Sequence, residues 1–192
     1  MGFHHLALAT TDMAATHTFY TEAMGFELAK AVAAPTDAPG GWAKHLFYDT
    51  GGDGMIAFWE LHDPRAEGLD PRISEGLGLP IWVNHFAFAA ADLDDLAARR
   101  ERWLDRGIDV MEIDHGFCTS IYTTDPNGIL VEWCTDTKPY TDADRRAALA
   151  LLAAEDPSLD EPPEPVFHRG RRPAAGRTNG QVGAAPAVVP TT

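Results

Sequence analysis

Three residues far apart in the chain, His5, His85 and Glu132, have the side chains needed to hold a divalent cation. Two neutral imidazoles and one carboxylate accept Fe(II), Mn, Co, Ni or Zn, and leave coordination positions open for a substrate. Glu132 stands inside the apolar run "ILVEW", just after the turn residues Asp125, Pro126, Asn127 and Gly128. An unpaired carboxylate is costly to bury there, and a bound cation removes that cost. His5 and His85 open two short alternating runs, "HLALAT" and "HFAFAA". A strand alternates faces with period two, so His5, Ala7 and Ala9 line one side of the first run. His85, Ala87 and Ala89 do the same in the second. Small residues beside a polar tip leave room for a cavity. On its own strand Glu132 shares a face with Leu130 and Cys134. If the two His faces look at one another, all three side chains meet at one ion.

The elements that position these residues repeat. The spacing from His5 to His85 equals that from Asp12 to Asp92, and each aspartate precedes a helix-like stretch that ends near a glycine, Gly25 or Gly107. Aspartate suits a helix N-cap and glycine suits the left-handed position after a helix. Three strand-like segments follow in each half, roughly 26–33, 43–50 and 54–62, then 109–114, 117–124 and 129–135. The fold class expected is therefore α+β, with two βαβββ modules produced by internal duplication. Module one spans about 1–62 and module two about 81–138. Between them, residues 63–80 are rich in Gly and Pro and read as a linker. A helix is expected within 139–156. The Pro/Gly/Ala-rich segment 157–192 reads as a loose tail without fixed structure.

Composition narrows the partners. The 192 residues carry 29 acidic against 15 basic side chains, a formal net charge of −14, which repels a phosphate backbone and argues against nucleic acid. No apolar stretch is long enough to span a bilayer, and the N-terminus lacks a signal-peptide pattern, so a cytoplasmic location without membrane association is expected. The two cysteines, Cys118 and Cys134, read as free thiols and cannot form a Cys-based zinc site.

On these residues the chain resembles the vicinal oxygen chelate superfamily, which includes glyoxalase I, fosfomycin and bleomycin resistance proteins, and extradiol dioxygenases. The resemblance covers residues 3 to about 136. It rests on the paired modules, a histidine in the first strand of each, and the ending "DPNGILVE". It implies a U-shaped mixed sheet around a metal, with His5, His85 and Glu132 as ligands. Glyoxalase-type isomerases draw a further carboxylate from the last strand of module one, and Glu60 in "MIAFWELHD" is the candidate. Ring-cleaving dioxygenases leave that position open and carry a tyrosine and a histidine upstream of the closing glutamate. Tyr122 and His115 stand near those places as catalytic candidates. The activity favoured by the resemblance is an extradiol-type dioxygenase using Fe(II) and O2 on a catechol-like small molecule. A glyoxalase-like isomerase, lyase or epimerase using Zn, Ni or Co with Glu60 as fourth ligand is the alternative. A non-catalytic drug-binding protein is a third class, against which the triad argues. His45 and His62, on strands of module one, are further candidates to approach the cavity. Modules of this family pair within a chain or between chains, which is compatible with a homodimer.

Overall fold

The computed structural model describes residues 2–52 and 54–172. Module one contains β1 (His5–Thr10), α1 (Met13–Thr18), β2 (Glu27–Pro35), β3 (Trp42–Asp49) and β4 (Met55–His62). A π-helical turn, Phe19–Ala23, extends α1. Module two contains β5 (His85–Ala89), α2 (Leu93–Asp105), β6 (Val110–Asp114), β7 (Cys118–Thr124) and β8 (Leu130–Asp136). Asp12 and Asp92 cap the two helices by accepting from the backbone N–H groups of Ala15 and Asp95. Gly25 and Gly107 take φ of 79° and 74°, the left-handed turn that releases the chain from each helix. The connection 63–84 holds two short 3-10 turns, Pro64–Ala66 and Glu75–Leu77, and is pinned by the Asn84 N–H donating to Ser74 Oγ at 2.7 Å.

The strands form two sheets rather than one continuous U: β1-β4-β3-β2 with four strands, and β5-β8-β7-β6-β9 with five. In each, the first strand runs parallel to the last strand of its module, and the rest of the module is antiparallel. The ninth strand, β9 (Val166–His168), lies in the segment expected to be loose. It pairs antiparallel with β6, and His168 Nε2 meets Glu112 Oε2 at 2.8 Å while Arg169 Nη1 donates to Asp109 Oδ2 at 2.7 Å. Backbone pairing and ion pairs thus hold a stretch too short to announce itself by periodicity. Residues 173–192 lie outside the described residues. Before β9 comes α3 (Asp142–Ala153), with a capping box between Thr141 and Asp144 and no buried residue.

Of two hydrophobic clusters, the smaller gathers Ile81, Tyr122 and Leu130, and the larger serves both modules. Phe58, Tyr48, Ile56 and Leu8 of the first sheet share it with Val131, Trp133, Ile121, Phe86 and Phe88 of the second. Phe26 is the hinge of this packing, with its ring centroid 5.0 Å from Phe88 and 5.7 Å from Trp133. A buried polar latch reinforces it. Thr10 Oγ1 donates to Asn127 Oδ1 at 2.6 Å, Tyr20 Oη donates to Asp125 Oδ2 at 3.0 Å, and the N–H groups of Asn127 and Ile129 both donate to Asp125 Oδ1 at 2.9 Å. Because the bulky faces of both sheets turn inward to this core, the His/Ala faces turn outward. His5, Ala7, His85, Ala87 and Ala89 are all exposed.

Candidate metal centre

The second sheet carries the more complete half of the site. Register places Ala87, Glu132 and Tyr122 side by side across β5, β8 and β7. His85, Leu130, Cys134, Ser120 and Cys118 fall on the same face by alternation. His85 opens β5, and its Nδ1 lies 2.8 Å from the carbonyl oxygen of Trp82. That bond requires a proton on Nδ1, so in the neutral ring the lone pair sits on Nε2. Nε2 lies 3.0 Å from Glu132 Oε2. A lone pair facing a carboxylate is repulsive, and the contact is stable only with a positive charge shared between them: either a proton or a metal ion. Fixing one ring nitrogen on a backbone carbonyl is also the arrangement that orients a metal-binding imidazole.

Glu132 is 5% exposed. Burial works to raise its pKa, but the hydrogen bond with His85 helps to outweigh it and holds the carboxyl below the ordinary glutamate range. The same bond raises the His85 pKa against its partial burial. His115, at the turn after β6, places Nε2 2.9 Å from Tyr122 Oη, and the rings of Tyr122 and His85 are 6.4 Å apart. Burial raises the Tyr122 pKa, so the phenol stays protonated at neutral pH. Burial also pushes the Cys118 thiol up to about 12, which leaves it a poor metal ligand. His85, Glu132, Tyr122 and His115 are thereby brought together on one face, where Tyr122 and Leu130 also pack against Ile81.

His5 belongs to the other sheet. Its Nδ1 lies 2.8 Å from His4 Nδ1, and its ring is 5.2 Å from Phe47 and 6.0 Å from His45. Among the described residues, no group of three or more His, Cys, Asp or Glu side chains is arranged to hold one ion. Convergence of the three expected ligands within a single chain is therefore not what the structure shows. The inward packing of the bulky faces sends the two His faces away from each other, and the ligand set divides into His5 on one sheet and His85 with Glu132 on the other.

Glu60 is removed from the ligand set by register. Trp59, not Glu60, pairs with Ala9 on the His5 side of β4, while Glu60 pairs with Thr10 and Lys44 on the opposite side. There it accepts from Lys44 Nζ at 2.9 Å and lies 2.9 Å from His62 Nε2. Burial would raise its pKa, but the Lys44 and His62 hydrogen bonds and charges outweigh it and hold it down. His62 is consumed by that pair and by stacking on Trp42 at 3.7 Å. The supporting contacts from His4 and the Trp82 carbonyl were not foreseen from sequence; a backbone acceptor leaves no residue signature.

The family model described as Glyoxalase/Bleomycin resistance protein/Dioxygenase superfamily matches residues 2–133. The chain belongs to that superfamily. No curated protein matches it by sequence. Among solved structures, it is similar to a glyoxylase/bleomycin resistance protein/dioxygenase domain from Frankia sp. EAN1pec, with 20% identity, 71% of this chain and 98% of that one covered, and a TM-score of 0.55. It is also similar to the fosfomycin resistance protein FosX from Listeria monocytogenes, with 20% identity, 76% and 98% coverage, and a TM-score of 0.51. At such identity these two establish the fold.

Proposed function

We propose that the protein is a metal-dependent enzyme whose site is completed by a second copy of the chain, His5 coming from one copy and His85 with Glu132 from the other. We infer further that it acts as an extradiol-type dioxygenase on a catechol-like substrate, with Fe(II) as the favoured metal and Mn, Co, Ni or Zn as ions the ligand set also accepts. The observation that carries the dioxygenase reading is the His115–Tyr122 hydrogen bond on the same face as the His85–Glu132 pair. The residues fit a metal because the Nδ1 hydrogen bond leaves the His85 lone pair on Nε2, and a buried carboxylate lies 3.0 Å from that nitrogen.

His5, His85 and Glu132 would hold the ion, which when bound would supply the Lewis acidity that favours the ionised form of a substrate's two vicinal oxygens. Tyr122 Oη is placed to accept from one of the substrate's hydroxyls while its own O–H donates to His115 Nε2. His115 Nε2, hydrogen-bonded to that hydroxyl, is placed to take up and return the proton released as the substrate ionises. The exposed alanines of β1 and β5 leave the volume for a planar ring. The net reaction breaks the ring C–C bond next to one hydroxyl and places both atoms of O2 in the product. The glyoxalase-like alternative loses its main support, since Glu60 is turned to Lys44 and His62.

The test uses full-length protein purified without oxygen. It is expected to carry Fe(II) and to consume O2 when given catechols. His5→Ala, His85→Ala and Glu132→Ala should each lose the metal, whereas Tyr122→Phe and His115→Phe should keep it and lower turnover by about 10²–10⁴-fold. Full metal occupancy in all three ligand variants would refute the site. Zinc or nickel with no oxygen uptake across the catechol series would refute the dioxygenase reading and favour an isomerase.

A further inference from the structure

On the open face of the first sheet is an imidazole to which the proposed chemistry gives no task. His45 sits on β3 between Trp59 of β4 and Val32 of β2. Its ring lies nearly parallel to the Trp59 indole, with centroids 3.8 Å apart and planes 13° apart, and its centroid is 4.0 Å from that of Phe47. These contacts fix the ring without offering it a hydrogen bond. His45 is 6% exposed and its Nε2 has no partner among the described residues. Buried polar atoms are nearly always hydrogen-bonded, so one left in that state calls for an explanation.

The register sets the side of the sheet from which this ring projects. Trp59 pairs with His45 on one flank and with Ala9 on the other, and Ala9 shares its face with His5. The His5 and His45 centroids are 6.0 Å apart. That is about the reach from a metal-chelating oxygen across a single aromatic ring to a substituent. Ala7, Ala9 and Ala57 add only methyl groups to this face, while Trp59 and Phe47 give it flat apolar walls.

We propose that His45 selects the substrate: its Nε2–H donates to an oxygen acceptor on a ring substituent, away from the two chelating oxygens. The inference rests on the extradiol reading and names its substrate class, catechols bearing a carboxylate or carbonyl group. In the shared site His45 would stand with His5 across the substrate from the partner copy's Tyr122-bearing face.

Three probes of similar ring size test it on Fe(II)-loaded full-length protein: catechol, 4-methylcatechol and 3,4-dihydroxybenzoate. His45→Phe keeps the stacked ring and removes Nε2. It should lower kcat/KM for 3,4-dihydroxybenzoate about 10–100-fold, mainly through KM, and leave 4-methylcatechol within about 2-fold. His45→Gln, which retains a terminal N–H, should recover part of the loss and gives a second chance if the first variant folds poorly. Anaerobic calorimetric titration with the same probes should repeat the pattern in Kd. Equal losses on all three probes, no loss on any, or loss of iron from His45→Phe would each overturn the assignment while leaving the extradiol reading intact. Absence of oxygen uptake and of binding by the unsubstituted protein with every probe would overturn both.

Discussion

Mixing His5→Ala chains with Glu132→Ala chains should restore metal binding that neither variant has alone. The reasoning follows from the division of ligands between the two sheets and from two-fold symmetry. In a symmetric dimer each site takes the first-sheet face of one copy and the second-sheet face of the other. A mixed dimer therefore places both substitutions in one site and neither in the other. Random pairing of equal amounts makes about half of the dimers mixed, so about a quarter of all sites should be intact. The assay is direct. The two variants are unfolded together, refolded, dialysed against cobalt, and the bound metal is measured per chain beside samples refolded separately. Occupancy near one quarter of the unsubstituted value, against a background near zero, is the expected result. A mixed sample that binds no more than the average of its components would show that no site is shared, and the proposed assembly would fall with it.

Two further outcomes follow from the same geometry. Asn127→Ala removes the acceptor of the Thr10 hydroxyl and a donor to Asp125, both buried, and should destabilise the protein by about 2–3 kcal/mol in denaturant unfolding; a loss under about 0.5 kcal/mol would show that the latch is incidental. In metal-free protein the His85–Glu132 pair should stabilise the fold most between the ordinary glutamate and histidine pKa values of 4.5 and 6.5. Glu132, whose pKa is lowered on folding, loses its contribution as pH falls through its folded value. His85, whose pKa is raised, loses its contribution as pH rises through its own. The difference in melting temperature between the unsubstituted protein and Glu132→Gln should trace that window, and a difference that is flat with pH would refute the pairing.

Much of this was legible in the chain. Period-two alternation in "HLALAT" and "HFAFAA" gave the correct faces, because a pleated strand has only two sides and the bulky residues had to go inward. The capping aspartates and the left-handed glycines located both helices for equally local reasons. What alternation cannot say is which sheet a face will meet. Leu8, Phe86 and Phe88 would show the same pattern whether modules close around a cavity or pack on their helix sides, and only the contacts of Phe26, Thr10 and Asn127 decide between them. The side of β4 that Glu60 occupies follows from its strand mates. Sharing a face with Phe58, which is fully buried in the core, already put it on the side away from His5. Strand β9 was hidden because three residues in a proline-rich stretch carry no period, and its pairing with β6 depends on an edge far away in sequence.

The Asp125–Asn127 latch has a consequence for how the chain is made. The hydroxyls of Thr10, Thr16 and Tyr20 leave the ribosome early, yet their partners Asn127 and Asp125 emerge only after more than half of the chain has followed. Until then the Tyr20 hydroxyl lacks Asp125, and the Thr10 and Thr16 hydroxyls, which meet each other at 2.8 Å, lack Asn127, so the buried network of the first half stays incomplete. A duplication that began as two equal halves has thus become a single cooperative object, and cutting it between the repeats should yield two fragments that fold only in each other's company.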